Sequence, residues 1–138
     1  MITKKAKYAL KALLYLTARW GQSPTLIAEI AKEETIPKKF LELILLELKE
    51  AGVVGSKKGK GGGYFLIEDP KKLNFIRILR LVDGPIAPLP CVSLNFYKRC
   101  EDCQTEQECR LHAMLVEVRD ANIAVLEKLT LKPTEGTA

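Results

Sequence analysis

Between positions 57 and 63 the chain reads Lys-Lys-Gly-Lys-Gly-Gly-Gly, and neither a helix nor a regular strand can run through it. Glycine loses more backbone freedom on ordering than any other residue, so a run this rich in it belongs to a turn. Short strand-like stretches flank the run, Val53-Val54-Gly55-Ser56-Lys57 before it and Tyr64-Phe65-Leu66-Ile67 after it. The spacing predicts a β-hairpin with a glycine-rich, basic tip. Gly61, Gly62 and Gly63 let backbone amides approach a phosphate, with Tyr64 beside them, while Lys57, Lys58 and Lys60 supply the charge that displaces condensed cations from DNA. A nucleotide-binding P-loop is excluded, because the Lys-Ser/Thr pair it needs after the last glycine is replaced by Tyr64-Phe65.

The residues before the hairpin have helical periodicity. From Thr3 to about Arg19, Ala6, Tyr8, Ala9, Leu10, Leu13 and Leu16 recur at helical spacing, until Gly21 and Pro24 end the pattern. A second, shorter helix is expected over Leu26 to Glu34, with Ile27, Ile30 and Ala31 inward. Pro37 opens a third, which runs to Ala51 and stops at Gly52. In this third helix Leu41, Ile44, Leu45 and Leu48 form one stripe, whereas Lys38, Lys39, Glu42 and Lys49 fall within roughly 100° of one another on the other side. Two short-linked helices, the second exposing charge near its N-terminus and followed by a basic hairpin, are the pattern of a winged helix-turn-helix.

Charge follows the same division. Residues 1–66 hold twelve Lys+Arg and six Asp+Glu, a net of +6, with Lys4 and Lys5 at the start of the first helix. Residues 67–138 hold ten and eleven, a net of −1. A lysine-rich helix face or a glycine turn taken alone is ordinary solvated surface; the ordered set within a basic half-chain points to a DNA reader. At 138 residues, 47% hydrophobic and 28% charged, the composition suits one globular domain with an appended oligomerisation helix and excludes disordered and collagen-like classes. The apolar runs are short, such as Leu43–Leu46, and Met1-Ile2-Thr3-Lys4-Lys5 lacks the apolar block of a secretory signal, so a cytoplasmic protein without membrane partners is expected.

All four cysteines lie within nineteen positions, as Cys91-x8-Cys100-x2-Cys103-x5-Cys109-x2-His112, and His112 is the sole histidine. Asn74 is placed to cap a helix through about Val82 with Ile76, Ile78, Leu79 and Val82 inward, and Asp83-Gly84-Pro85 closes it. Ile86 to Gln104 reads as a loop, after which Thr105-x-x-Glu108 forms a capping box for a long helix carrying Cys109 and His112 on its first turns. One turn apart, those two side chains can converge on a single site. In a reducing cytosol such a cluster holds metal or senses redox state rather than forming a disulfide framework. Thiolate and imidazole donors suit an iron–sulfur centre; a structural zinc site on the four cysteines and a metal-free dithiol switch at Cys100-x2-Cys103 are the other readings.

Thr3-Lys4-Lys5-Ala6-Lys7-Tyr8-Ala9, Phe40-Leu41-Glu42, Gly59-Lys60-Gly61-Gly62-Gly63-Tyr64 and Cys103-x5-Cys109-x2-His112 resemble the IscR/NsrR/CymR family of bacterial winged-helix transcription regulators, most closely its IscR-like iron–sulfur members. The resemblance runs from Thr3 to about Leu129. It implies a homodimer whose wing and third helix bind double-stranded operator DNA, with one 2Fe–2S cluster per subunit held by Cys91, Cys103, Cys109 and His112. The family's first two ligand cysteines usually lie closer together than Cys91 and Cys103, and Cys100 between them becomes an alternative ligand. NsrR-like members take an acidic ligand from the first helix; Lys7 stands there, which disfavours the nitric-oxide sensor. Lys39 and Glu42 match operator-reading positions, and Lys58 stands where IscR-like proteins tend to have arginine, so the bidentate fork to guanine is lost.

In the long helix Leu111, Leu115, Val118, Asn122, Val125 and Leu129 alternate at steps of four and three, a coiled-coil seam in which Asn122 would set register. The alternative is a helix packed on its own domain. The expected organisation is a mainly α chain with a hairpin wing: a winged-helix domain over 1–82, a cysteine loop over 83–104, a dimerisation helix over 105–131 and a flexible tail over 132–138. No catalytic constellation is evident, and neither an enzymatic activity nor a small-molecule substrate is expected. A small electron-transfer protein would account for the cysteines and leave the basic head unused.

Overall fold

Thr3 starts the first helix by turning its Oγ1 to accept from the Ala6 amide at 3.1 Å, and α1 then spans Lys4–Thr17 in a computed structural model that describes residues 2–132. Of the tail expected over 132–138, all but Lys132 lies outside the described residues. Ala6, Ala9 and Ala12 are fully buried, and these small side chains let α1 lie close to its neighbours. Next come α2 (Ile27–Glu33) and α3 (Lys38–Glu50), joined at Thr35, whose φ of +54° is rare for a β-branched residue. Tyr8 of α1 meets Phe40 of α3 edge to face, ring centroids 5.6 Å apart.

Gly52 ends α3 at φ +78°, where the Val53 amide reaches back to Leu48 O at 2.9 Å and the Gly52 amide to Lys49 O at 3.0 Å. These paired bonds satisfy carbonyls that the helix end would leave open. The chain passes directly into β1 (Val54–Lys57), which pairs antiparallel with β2 (Gly63–Leu66) in the register Val54 to Leu66 and Lys57 to Gly63. Thr25 joins the outer edge of β2 through two backbone bonds with Tyr64, of 2.8 and 2.7 Å, and so ties the wing to the entrance of α2. Winged helix-turn-helix architecture follows, as the sequence predicts.

Asn74 caps α4 (Phe75–Asp83) through its Oδ1, which accepts from the Ile76 amide at 2.9 Å. Asp83 at the far end of α4 accepts from both the amide and the hydroxyl of Thr3, locking α4 to the start of α1. A short 3-10 turn at Pro90–Val92 and another at Glu106–Glu108 precede α5 (Arg110–Lys128). One core joins Leu13, Leu16, Ile30, Leu41, Leu45 and Leu73, and Leu131 enters it from the C-terminal side. The Leu131 amide donates to Leu73 O at 3.0 Å, and the Phe75 amide to Leu129 O at 3.0 Å. The chain after α5 is thus part of the head, unlike the linear division expected from sequence. Among the described residues no helix is long and apolar enough to cross a membrane.

Candidate functional site

α3 presents the stripe that the periodicity predicts. Leu41, Ile44, Leu45 and Leu48 are buried, while Lys38, Lys39, Glu42 and Lys49 are exposed. Lys4 is also exposed, but Lys5 is drawn to Glu47 of α3 at 2.8 Å and is half-buried, so it braces α1 against α3 instead of standing free. Such a partly exposed pair contributes only about 0–1 kcal/mol. At the wing, Lys57, Lys58, Lys60 and Gly61 are exposed. Gly62 is buried, and a Cβ there would lie 2.2 Å from Lys57 O. Gly63, at φ +137°, has Thr25 O 2.3 Å from where its Cβ would be, and Tyr64 packs against the core. The last two glycines and Tyr64 therefore have a packing role that sequence reading did not assign, and the accessible tip is Lys57 to Gly61.

The cysteine segment folds on its own backbone. The Lys98 amide donates to Pro90 O at 3.1 Å, which brings Cys91 and Cys100 to line one open pocket. Arg99 Nη2 donates to Cys103 O at 3.3 Å and Gln104 O at 3.0 Å, and the Tyr97 hydroxyl donates to Glu106. Cys91 is buried; the other three cysteines are half-buried, and all four are free thiols. Cys100 Sγ donates to Asp102 Oδ1 at 2.6 Å. That bond holds the Cys100 thiol above its ordinary pKa and the Asp102 carboxyl below its own. A thiol kept protonated is a poorer metal ligand and nucleophile.

Two expectations need correction at the start of α5. Thr105 makes no capping bond, because residues 106–108 form a 3-10 turn and the helix begins only at Arg110. Cys109 is not on the helix but is its N-cap: its Sγ accepts from the His112 amide at 3.3 Å. The contact is between the Cys109 thiol and the His112 backbone amide, not the imidazole. His112 Nδ1 is buried and has no hydrogen-bond partner, a state that disfavours the fold by about 1–3 kcal/mol unless something binds it. The full expected set does not converge. Among the described residues no three His, Cys, Asp or Glu side chains stand together closely enough to hold a metal ion. The donor chemistry of three thiols and an imidazole with an open nitrogen fits an iron–sulfur group, and of these donors Cys109 and His112 both sit at the start of α5.

Along α5 no residue is buried. Leu111, Val118 and Val125 are exposed, Asn122 is exposed and Leu115 is half-buried; Met114, 60% exposed beside Leu115, belongs to the same side and was not singled out from sequence. Leu129 lies past the helix end as its C-cap, where its carbonyl receives the Phe75 amide, so the regular seam stops at Val125. Arg119 holds α5 to the cysteine segment by donating from Nη1 to Val92 O at 2.9 Å. No sequence pattern marks that contact, which depends on a loop carbonyl 27 positions away.

The iron-dependent transcriptional regulator model named Rrf2 matches residues 2–133. An rrf2-like HTH-type transcriptional regulator of Rhodobacter capsulatus is 47% identical over 135 residues, covering 96% of this chain and 90% of that protein. The HTH-type transcriptional regulator IscR of Photorhabdus laumondii is 27% identical, covering 95% of this chain and 76% of its own. Among solved structures, CymR (YrzC), the global cysteine regulator of Bacillus subtilis, superposes with a TM-score of 0.78 at 29% identity, over 96% of this chain and 93% of that one. These relatives are regulators of transcription, a class of non-enzymatic DNA-binding proteins. With a winged helix-turn-helix head and a family match over nearly its whole length, the chain belongs to the Rrf2 family of DNA-binding transcriptional regulators.

Proposed function

We propose that this regulator senses iron–sulfur, iron or redox status through a 2Fe–2S cluster, one per subunit of a cytoplasmic homodimer, and changes its operator binding with cluster state. The observation that carries the reading is the buried, partnerless Nδ1 of His112, on the first turn of the helix that the Cys109 thiol caps. Cys91, Cys103, Cys109 and His112 would hold the cluster, which supplies an electron- and oxidant-sensitive centre when bound. Cys100, engaged with Asp102, is the alternative ligand. Lys4, Lys38, Lys39, Glu42, Lys57, Lys58, Lys60 and Gly61 form the DNA-facing surface of each head. The exposed line Leu111, Met114, Val118 and Val125 supports a second copy of α5 as partner, with Asn122 fixing register. Because Cys109 caps α5, occupancy of the cysteine site would act on the helix that sets the separation of the two heads.

Anaerobic purification followed by iron, sulfide and zinc analysis tests this directly. Two iron and two sulfide per chain, with visible bands that bleach on oxidation, are expected. Cys103→Ala and Cys109→Ala should lose the iron, His112→Ala should weaken binding or alter the spectrum, and Cys100→Ala should retain it. A second reading, a zinc-stabilised or thiol-based regulator, is favoured by the shared pocket of Cys91 and Cys100. Stoichiometric zinc, or no metal together with oxidant-dependent DNA binding, would select it.

A further inference from the structure

At about 100° per residue, the direction opposite the buried stripe of α3 carries Lys39, Leu43, Leu46 and Glu50. Leu43 is 60% exposed and Leu46 48% exposed. The flank of the helix is already occupied: Glu47 is tied to Lys5, and Phe40 lies against Tyr8. Leu43 therefore stands at the centre of the outward face, one turn after Lys39 and next to Glu42. A lone exposed leucine on a protein surface needs no explanation. This one sits in the first half of the helix that a winged helix-turn-helix inserts into the major groove, where N-terminal residues meet base edges. Lys38 and Lys39 precede it on α3, with Glu42 adjacent, and the wing of the same head carries Lys57, Lys58 and Lys60, all exposed.

The polar residues of α3 are lysine and glutamate alone; no Arg, Asn, Gln, Ser or Thr is present to make the usual bidentate or hydroxyl contacts with bases. Lys39 can donate to guanine and Glu42 can accept from cytosine N4, but neither supplies recognition of an A·T pair. In the major groove one base carries an apolar mark, the C5 methyl of thymine. We propose that Leu43 is a specificity-determining residue that packs on a thymine methyl of each operator half-site. The inference rests on the assignment of α3 as the DNA-reading helix.

The test begins with duplexes selected from a randomised pool by the purified full-length protein. Each thymine of the best duplex is then replaced by deoxyuridine, which removes the methyl and nothing else. Loss of one buried methyl contact should weaken binding about three- to fivefold at one or two thymines per half-site and at no others. Leu43→Ala should bind the thymine and uracil duplexes equally, with an unchanged slope of affinity against salt, since no phosphate contact is lost. Selection repeated with Leu43→Gln should exchange thymine for adenine at that step, the base that an amide reads through N6 and N7. Uracil replacement without effect at every position, or a penalty that persists in Leu43→Ala, would overturn the proposal while leaving the DNA-reading head intact. Failure to enrich any duplex would overturn both.

Discussion

α3 and α5 are both leucine-bearing amphipathic helices, yet Leu41, Ile44, Leu45 and Leu48 of α3 are at most 1% exposed and α5 contains no buried residue at all. The first helix is enclosed by α1, α2 and the wing of its own chain. The second lies on its own chain by a half-buried face that includes Leu115, Arg119 and Leu126, leaving Leu111, Met114, Val118 and Val125 open to solvent. The first turn of α5 shares this incompleteness, since His112 keeps a buried nitrogen without a partner. Two kinds of stability therefore coexist. The head is satisfied by its own sequence, whereas α5 leaves apolar side chains exposed and one buried imidazole nitrogen without a partner.

The sharpest way to break this comparison is in the head. Leu45→Ala removes a fully buried side chain from the centre of the core and should cost about 2–5 kcal/mol in denaturant unfolding. A cost below 1 kcal/mol would mean that the core is not held where the burial places it. Gly63→Ala comes next, at about 1–3 kcal/mol, because the new Cβ has Thr25 O 2.3 Å away and the wing must leave its dock on Thr25. It should weaken DNA binding while the helical circular dichroism stays near native. Thr3→Ala is smaller, about 1 kcal/mol, through loss of the α1 cap and of the hydroxyl's bond to Asp83. Thr3→Ser, which keeps the hydroxyl, should restore most of it.

The same contrast explains how much could be read from sequence. The helices of the head are legible because period, cap and stop agree: Thr3 before Lys4, Asn74 before Phe75 and Gly52 after Ala51 all act where they stand. The hairpin is legible from glycine content, but the reason for Gly62 and Gly63 is not. It lies in close approach to Lys57 and Thr25, and Thr25 is remote in sequence. The start of α5 is misread because Thr105 and Glu108 satisfy the capping pattern while a thiol, which the pattern does not include, makes the bond. Leu131 is missed as a core residue because a single leucine beyond a helix has no periodicity to declare it. The cysteine spacing brings Cys109 and His112 to the start of α5, where the thiol meets the His112 amide; where Cys91, Cys100 and Cys103 go is decided by loop bonds such as Lys98 to Pro90 O and Arg99 to Cys103 O, which no spacing rule contains.

The smallest expected effect on a single folded chain is the most informative about α5. Val118 is 46% exposed, so Val118→Glu removes little packing within the protomer and should change its stability by no more than about 0.5 kcal/mol when measured in dilute solution. If a second copy of α5 covers that face, the glutamates of both copies meet near the two-fold axis without water or cation to offset them. Association should then fail, and sedimentation should move from twice the chain mass to once. Coupling between stability and concentration gives the independent check. A dimer unfolds at a temperature that rises with protein concentration, and Val118→Glu should abolish that dependence while leaving the dilute-solution value nearly fixed. Operator affinity should fall as well, because two linked heads bind two half-sites with a gain that separate heads lack. A variant that remained twice the chain mass would place the partner surface elsewhere, and α5 would then be an exposed helix whose apolar line has some other use.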